Sequence, residues 1–200
     1  MKKVDLKKQR KLQNLLDSSY QLFTTQGIVQ TTISDIVRHA GIAKGTFYLY
    51  FRNKEDVLNQ LLAYKFSQLL RRAAQETIDN HVKGAENRIV YLSNSLIEQL
   101  SGDRRLLDFL ARNLSSGMLA PDINSAVMMD LHTYLLQDEP VRFNDPDIMF
   151  FMITTLISNS CVHSLLSTKP PDTARLRPYL LKTIRDIVHH HIAAEETKDN

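Results

Sequence analysis

This sequence predicts an all-helical chain, for three reasons. Apolar residues recur at three- and four-residue intervals through most of its 200 positions, the spacing that lines one face of an α-helix. Only six glycines and six prolines punctuate it, and long stretches hold neither. No segment alternates apolar and polar residues as a half-buried strand does, and no internal repeat is visible. The expected layout is a three-helix N-terminal domain over 1–53, a connecting helix over 54–79, and a helical body over 80–200.

The first helix carries Leu12, Leu15, Leu16, Tyr20 and Phe23 on one face and is closed by Gly27. Thr32 suits an N-cap for the second, and Asp35 three residues on can return a bond to its backbone, as in a capping box. Ile33, Ile36, Val37 and Ala40 then give one apolar face. Gly41 follows where a helix commonly ends in a left-handed residue. A further helix begins near Lys44, with Phe47 and Phe51 four apart and inward. Gly45, Thr46, Leu49 and Tyr50 point away from that face, and Lys44 and Tyr48 sit on its flank. Asn53 with Asp56 reads as the cap of a long helix from Lys54 to about Asp79, some 26 residues or roughly 39 Å. Later helices are expected over 84–101, 103–116, 121–138, 145–168 and 172–193, bounded by Gly102, Gly117 with Pro121, Pro140 with Pro146, and Pro170-Pro171.

Two short helices around a glycine break, the second with a basic and aromatic outer face, are the layout of a helix-turn-helix. In that motif one helix braces the duplex and the next enters the major groove. The ungapped run from Thr32 to Leu58, T-x-x-x-I-x-x-x-A-G-I-A-K-G-T-F-Y-x-Y-F-x-N-K-E-x-x-L, resembles the DNA-binding domain of TetR-family transcriptional regulators. The likeness covers about the first 60 residues; beyond them only helical character and length match.

The resemblance implies roles position by position. Thr32 is similar to a phosphate-contacting hydroxyl, and Lys44, Gly45 and Thr46 stand where the backbone comes closest to bases. Tyr48 and Lys54 match phosphate-reaching residues, in keeping with the ease with which lysine and helix N-termini take phosphate. Two positions depart from the family pattern: Ala43 replaces a frequent serine and its capping hydroxyl, and Tyr50 replaces a frequent histidine. Leu49 reads either as an exposed apolar side chain or as a contact to a thymine methyl.

Charge agrees. Residues 1–60 hold ten Lys or Arg and five Asp or Glu, a net of +5, which leaves a net of −2 for 61–200 out of totals of 25 and 22. A basic head on a mildly acidic body suits local duplex binding. Lys2, Lys3, Lys7, Lys8, Arg10 and Lys11 form either a solvated tail or an arm along phosphates or in a minor groove.

The body shows no catalytic constellation, so no enzyme is expected. None of seven histidines sits in H-E-x-x-H, and the one cysteine has no C-x-x-C partner. His189, His190 and His191 point about 100° apart on a helix and cannot share one ion, so no metal or cofactor is expected. One cysteine excludes an intrachain disulfide, no stretch is apolar enough to span a bilayer, and no signal-peptide core follows the N-terminal lysines. A cytoplasmic setting and no membrane partner are expected.

Five of six methionines fall between 118 and 152, with several phenylalanines nearby. Flexible thioethers and aromatics can line an adaptable apolar pocket or simply fill a core. The resemblance implies a small-molecule effector site in the body, for which Phe109, Met118, Met128, Met129, Phe151 and Met152 are candidates, with Asn113, Asn159 and His163 as polar anchors. The last two helices have more apolar surface than one core covers, so Ile157, Cys161, Leu165, Leu180, Ile184, Ile187 and Val188 are candidates for a two-fold dimer interface. A homodimer would read a palindromic operator in double-stranded DNA. The expected activity is a transcriptional regulator, a repressor released by its ligand; the alternative is a helical interaction or adaptor protein without ligand gating.

Overall fold

A computed structural model describes residues 3–114, 141–166 and 173–193. Eight helices lie among them: α1 (Lys3–Thr25), α2 (Ile33–His39), α3 (Lys44–Phe47), α4 (Lys54–Asp79), α5 (Ala85–Gly102), α6 (Arg104–Leu114), α7 (Pro146–Leu166) and α8 (Thr173–His191). The fold is all-α, as expected. The helix expected over 121–138 lies outside the described residues.

The chain forms two compact units, and the boundary between Phe66 and Ser67 falls inside α4. In the first, Leu15, Leu16 and Phe23 of α1 meet Ile36 and Val37 of α2, Phe47 and Phe51, and Val57 and Leu61 of α4, all buried. In the second, Ile89, Leu92 and Leu96 of α5 pack with Leu107 and Leu110 of α6, Met149, Ile153, Ile157 and Cys161 of α7, and Leu180, Ile184 and Val188 of α8. Polar bonds tie α5 to α8: Arg177 Nε donates to Asn94 Oδ1 at 2.6 Å, and Arg185 Nη1 to Asn87 Oδ1 at 3.0 Å. The segment before α7 pairs with the end of α8, through Asn144 N–H to His191 O at 2.7 Å and Ala193 N–H to Arg142 O at 2.9 Å.

This packing corrects the dimer candidates. Ile157, Cys161, Leu180, Ile184 and Val188 are buried within the chain's own core, so in this packing they offer a partner no exposed surface. Ile187 is half-buried, and the side chain of Leu165 lies outside the described residues. The inward ribbon of α7 is Met149, Ile153, Ile157 and Cys161, four apart; its outward face carries Ile148, Phe151 and Met152, with Phe151 68% exposed.

Burial also pushes the Cys161 thiol up to about 11, so little thiolate exists near neutrality. Native protein at pH 8 is expected to react with a maleimide roughly a hundredfold more slowly than the unfolded chain, about the thiolate ratio set by two pKa units. Equal rates, followed by mass spectrometry, would show an accessible thiol.

Candidate nucleic-acid interface

The bracing helix starts as its sequence dictates. Thr32 is extended at the N-cap, its Oγ1 accepts from Asp35 N–H at 3.1 Å, and Asp35 Oδ2 accepts from Thr32 N–H at 3.0 Å. The Thr32 hydroxyl donates to the same carboxylate at 2.7 Å. These bonds, hydroxyl first, hold the Asp35 carboxyl below its ordinary range. Arg38 pairs with Asp35 at 2.5 Å, which leaves less of its charge for a phosphate. Gly41 ends the turn at φ +65°, a left-handed conformation that suits glycine.

The recognition element is shorter than a full helix. Lys44–Phe47 makes one turn, which Leu49 N–H to Thr46 O (3.2 Å), Tyr50 N–H to Phe47 O (2.9 Å) and Phe51 N–H to Phe47 O (3.0 Å) prolong to Phe51. Ala43 gives it no side-chain cap. Phe47 and Phe51 are buried with ring centroids 5.5 Å apart, and Tyr48 meets Phe47 edge-on at 5.3 Å. The inward anchoring leaves Lys44, Gly45, Tyr48 and Leu49 exposed and Thr46 half-buried; Leu49 is 78% and Tyr48 53% exposed. The exposed group combines a cation, a phenol, an apolar tip and a glycine that lets backbone come close.

Two predicted contacts are placed otherwise. Tyr50 is half-buried, and its phenol donates to Lys8 O of α1 at 3.3 Å, so it braces the head instead of standing out toward bases. Lys54 Nζ donates to Ile28 O (2.5 Å), Val29 O (3.2 Å) and Thr31 O (3.0 Å). Its three N–H donors are thus taken by carbonyls that converge on it from the α1–α2 turn. The start of α4 is capped as expected, by Asp56 N–H to Asn53 Oδ1 at 2.8 Å, and Asp56 Oδ2 accepts from Arg52 N–H at 2.8 Å. Arg52, exposed beside Phe51, is a cation that only its charge could have singled out.

The effector candidates do not assemble among the described residues. Phe109 is buried in the body core, and Asn113 Nδ2 donates to Phe109 O at 2.7 Å. Phe151, Met152, Asn159 and His163 all stand on the exposed face of α7, opposite its core ribbon. Met118, Met128 and Met129 lie outside the described residues. A separate polar notch of about 380 Å³ opens between the second half of α4, α5 and the start of α6. Its acids are already engaged: Glu76 with Arg72 and Ser95, Glu98 with Arg177, and Asp103 with Leu106 N–H. Among the described residues no group of three His, Cys, Asp or Glu could hold a metal, and no helix is long and apolar enough to cross a membrane.

Residues 15–61 match the family model of bacterial regulatory proteins, tetR family. The chain is 30% identical over 99 residues to the fatty acid metabolism regulator protein of Bacillus subtilis, covering 50% of each. It is 33% identical over 49 residues to the HTH-type transcriptional regulator AcrR of Shigella flexneri, covering 24% of this chain and 23% of that one. It thus spans about half or less of the curated relatives it matches. Among solved structures it resembles the fatty acid degradation regulator FadR from Bacillus halodurans (TM-score 0.60, 24% identity, 86% of this chain and 97% of that one). FadR from Bacillus subtilis in complex with stearoyl-CoA gives a TM-score of 0.60 at 21% identity, covering 88% and 99%. These two likenesses establish the fold.

Proposed function

We propose that this chain, whose residues 15–61 match the family model of bacterial regulatory proteins, tetR family, is a DNA-binding transcriptional regulator, and specifically a homodimeric repressor released from a palindromic operator by a small molecule. The observation that carries the reading is the exposed set Lys44, Gly45, Tyr48 and Leu49, with half-buried Thr46 among them, held outward by buried Phe47 and Phe51. Lysine and tyrosine there suit phosphates, and Leu49 suits a thymine methyl. In this reading 1–53 is the duplex-binding head, 54–79 the connecting helix, and 80–200 the sensing and dimerising body.

The exposed apolar face of α7 supports the dimer. Ile148, Phe151 and Met152 are unusual on a surface, and Tyr179 of α8 is also exposed, at 69%. A two-fold axis through such a face would cover it with its own copy.

The first effector to try is a long-chain fatty acyl-CoA, because a relative is a fatty acid metabolism regulator and a solved fold neighbour holds stearoyl-CoA. Such a ligand acts only through its preference for the DNA-free conformer, and DNA must weaken ligand binding by the same factor. Stearoyl-CoA is expected to release bound duplex in a gel shift and to raise the melting temperature of the free protein. Release without any sign of binding to the free protein would point to a detergent effect.

The duplex interface is tested with genomic fragments and a Lys44→Ala, Tyr48→Ala double variant. Wild type is expected to bind more weakly as salt rises. The variant should lose at least about tenfold in affinity, and its salt slope should fall by about 0.9 for each phosphate contact removed. Equal, salt-insensitive binding by both would sink the interface.

A further inference from the structure

We infer that Lys54 is a positioning residue, clamping the α1–α2 turn so that the bracing helix enters correctly, and is not itself a phosphate contact. The inference rests on the duplex-binding role given above. A lysine ammonium has three N–H donors and no acceptor. Ile28 O, Val29 O and Thr31 O, at 2.5, 3.2 and 3.0 Å, take all three. A phosphate could be reached directly only by giving up one of them.

The placement is otherwise unfavourable. Lys54 opens α4, where the positive end of the helix dipole repels a cation. Three carbonyl dipoles from a segment 23 to 26 residues earlier offset that repulsion. The turn they belong to leaves α1 through Gly27 at φ +86° and is pinned from inside by Thr31 Oγ1 donating to Gly27 O at 2.7 Å. It leads directly into Thr32, whose carbonyl accepts from Asp35 N–H and Ile36 N–H, both at 3.1 Å. The clamp therefore fixes where α2 begins, and α3 packs on α2.

The test compares wild-type and Lys54→Met full chains on a genomic fragment that the wild type retains, between about 50 and 200 mM salt. Amide exchange of both is followed without DNA. The variant is expected to bind about tenfold more weakly at every salt with an unchanged slope of log affinity on log salt. Amides of Asp35 and Ile36 should exchange at least about fivefold faster, while those of Leu15 and Leu16 in the α1 core stay protected. A slope shallower by about 0.9 for each subunit's lost contact, or unchanged exchange at Asp35 and Ile36, overturns the clamp. Should the methionine variant unfold the head, Lys54→Arg decides. Its planar fork cannot converge on three carbonyls but serves a phosphate well, so weakened binding is expected and wild-type affinity overturns the clamp. If the wild type binds no duplex, the regulator reading falls, and the exchange comparison still decides the role of Lys54.

Discussion

Replacing Phe47 with alanine is expected to abolish duplex binding by unfolding the head while the body stays folded. Phe47 is fully buried, tilted against Phe51 with ring centroids 5.5 Å apart, and packed where α2 and α3 meet. Truncating such a ring costs about 3–5 kcal/mol, against a total stability of about 5–15 kcal/mol for a whole domain. The head is a separate compact unit with its own core, so the loss is concentrated there. Amides of Ile36, Val37 and Val57 should lose their protection against exchange, and those of Ile89, Leu92 and Ile184 should keep theirs. Leu49→Ala, two residues on, is the contrast. Leu49 is 78% exposed, so stability should move by no more than about 0.5 kcal/mol, and any change is in affinity alone. Retained duplex binding by Phe47→Ala would mean that the head core lies elsewhere.

The difference between these neighbours was legible in the sequence, because a helix period assigns faces wherever one face is apolar and the other is not. Local chemistry was equally legible. Thr32 with Asp35, Gly41, and Asn53 with Asp56 signal helix ends through partners a few residues away, and the structure forms those caps. The bounds of α4 follow from them.

What failed to show depends on distance or on symmetry of pattern. Lys54 finds carbonyls more than twenty residues away and Tyr50 finds Lys8 O, so neither partner has a local signal. α7 failed for another reason. Its residues are apolar on every side, so no period distinguishes the core ribbon from the outer face. Phe151 and Met152, read as pocket lining, stand outside; Ile157 and Cys161, read as interface, lie inside. In burial the two lists are transposed along one helix, and only packing against α5, α6 and α8 sorts inward from outward residues.

That transposition gives the second large expectation. Phe151→Asp should leave each subunit folded and make it monomeric where the wild type is dimeric. Phe151 is 68% exposed in the subunit, so its loss removes little from the core. In a two-fold interface the same residue is buried twice, at about 1.5–3 kcal/mol each, and an unpaired carboxylate would be desolvated in its place. A loss of about 4–6 kcal/mol is roughly three to four decades in the dimer dissociation constant, readable by sedimentation across a dilution series. Operator affinity should fall with it, since a monomer holds one half-site where a dimer holds two. Ile184→Ala should do the reverse. Ile184 is fully buried inside the subunit, so about 2–5 kcal/mol of folding stability should vanish, with the association constant of the remaining folded protein unchanged. If Phe151→Asp stays dimeric while Ile184→Ala dissociates as a folded monomer, the outward face of α7 is not the interface, and the buried ribbon must open to form one.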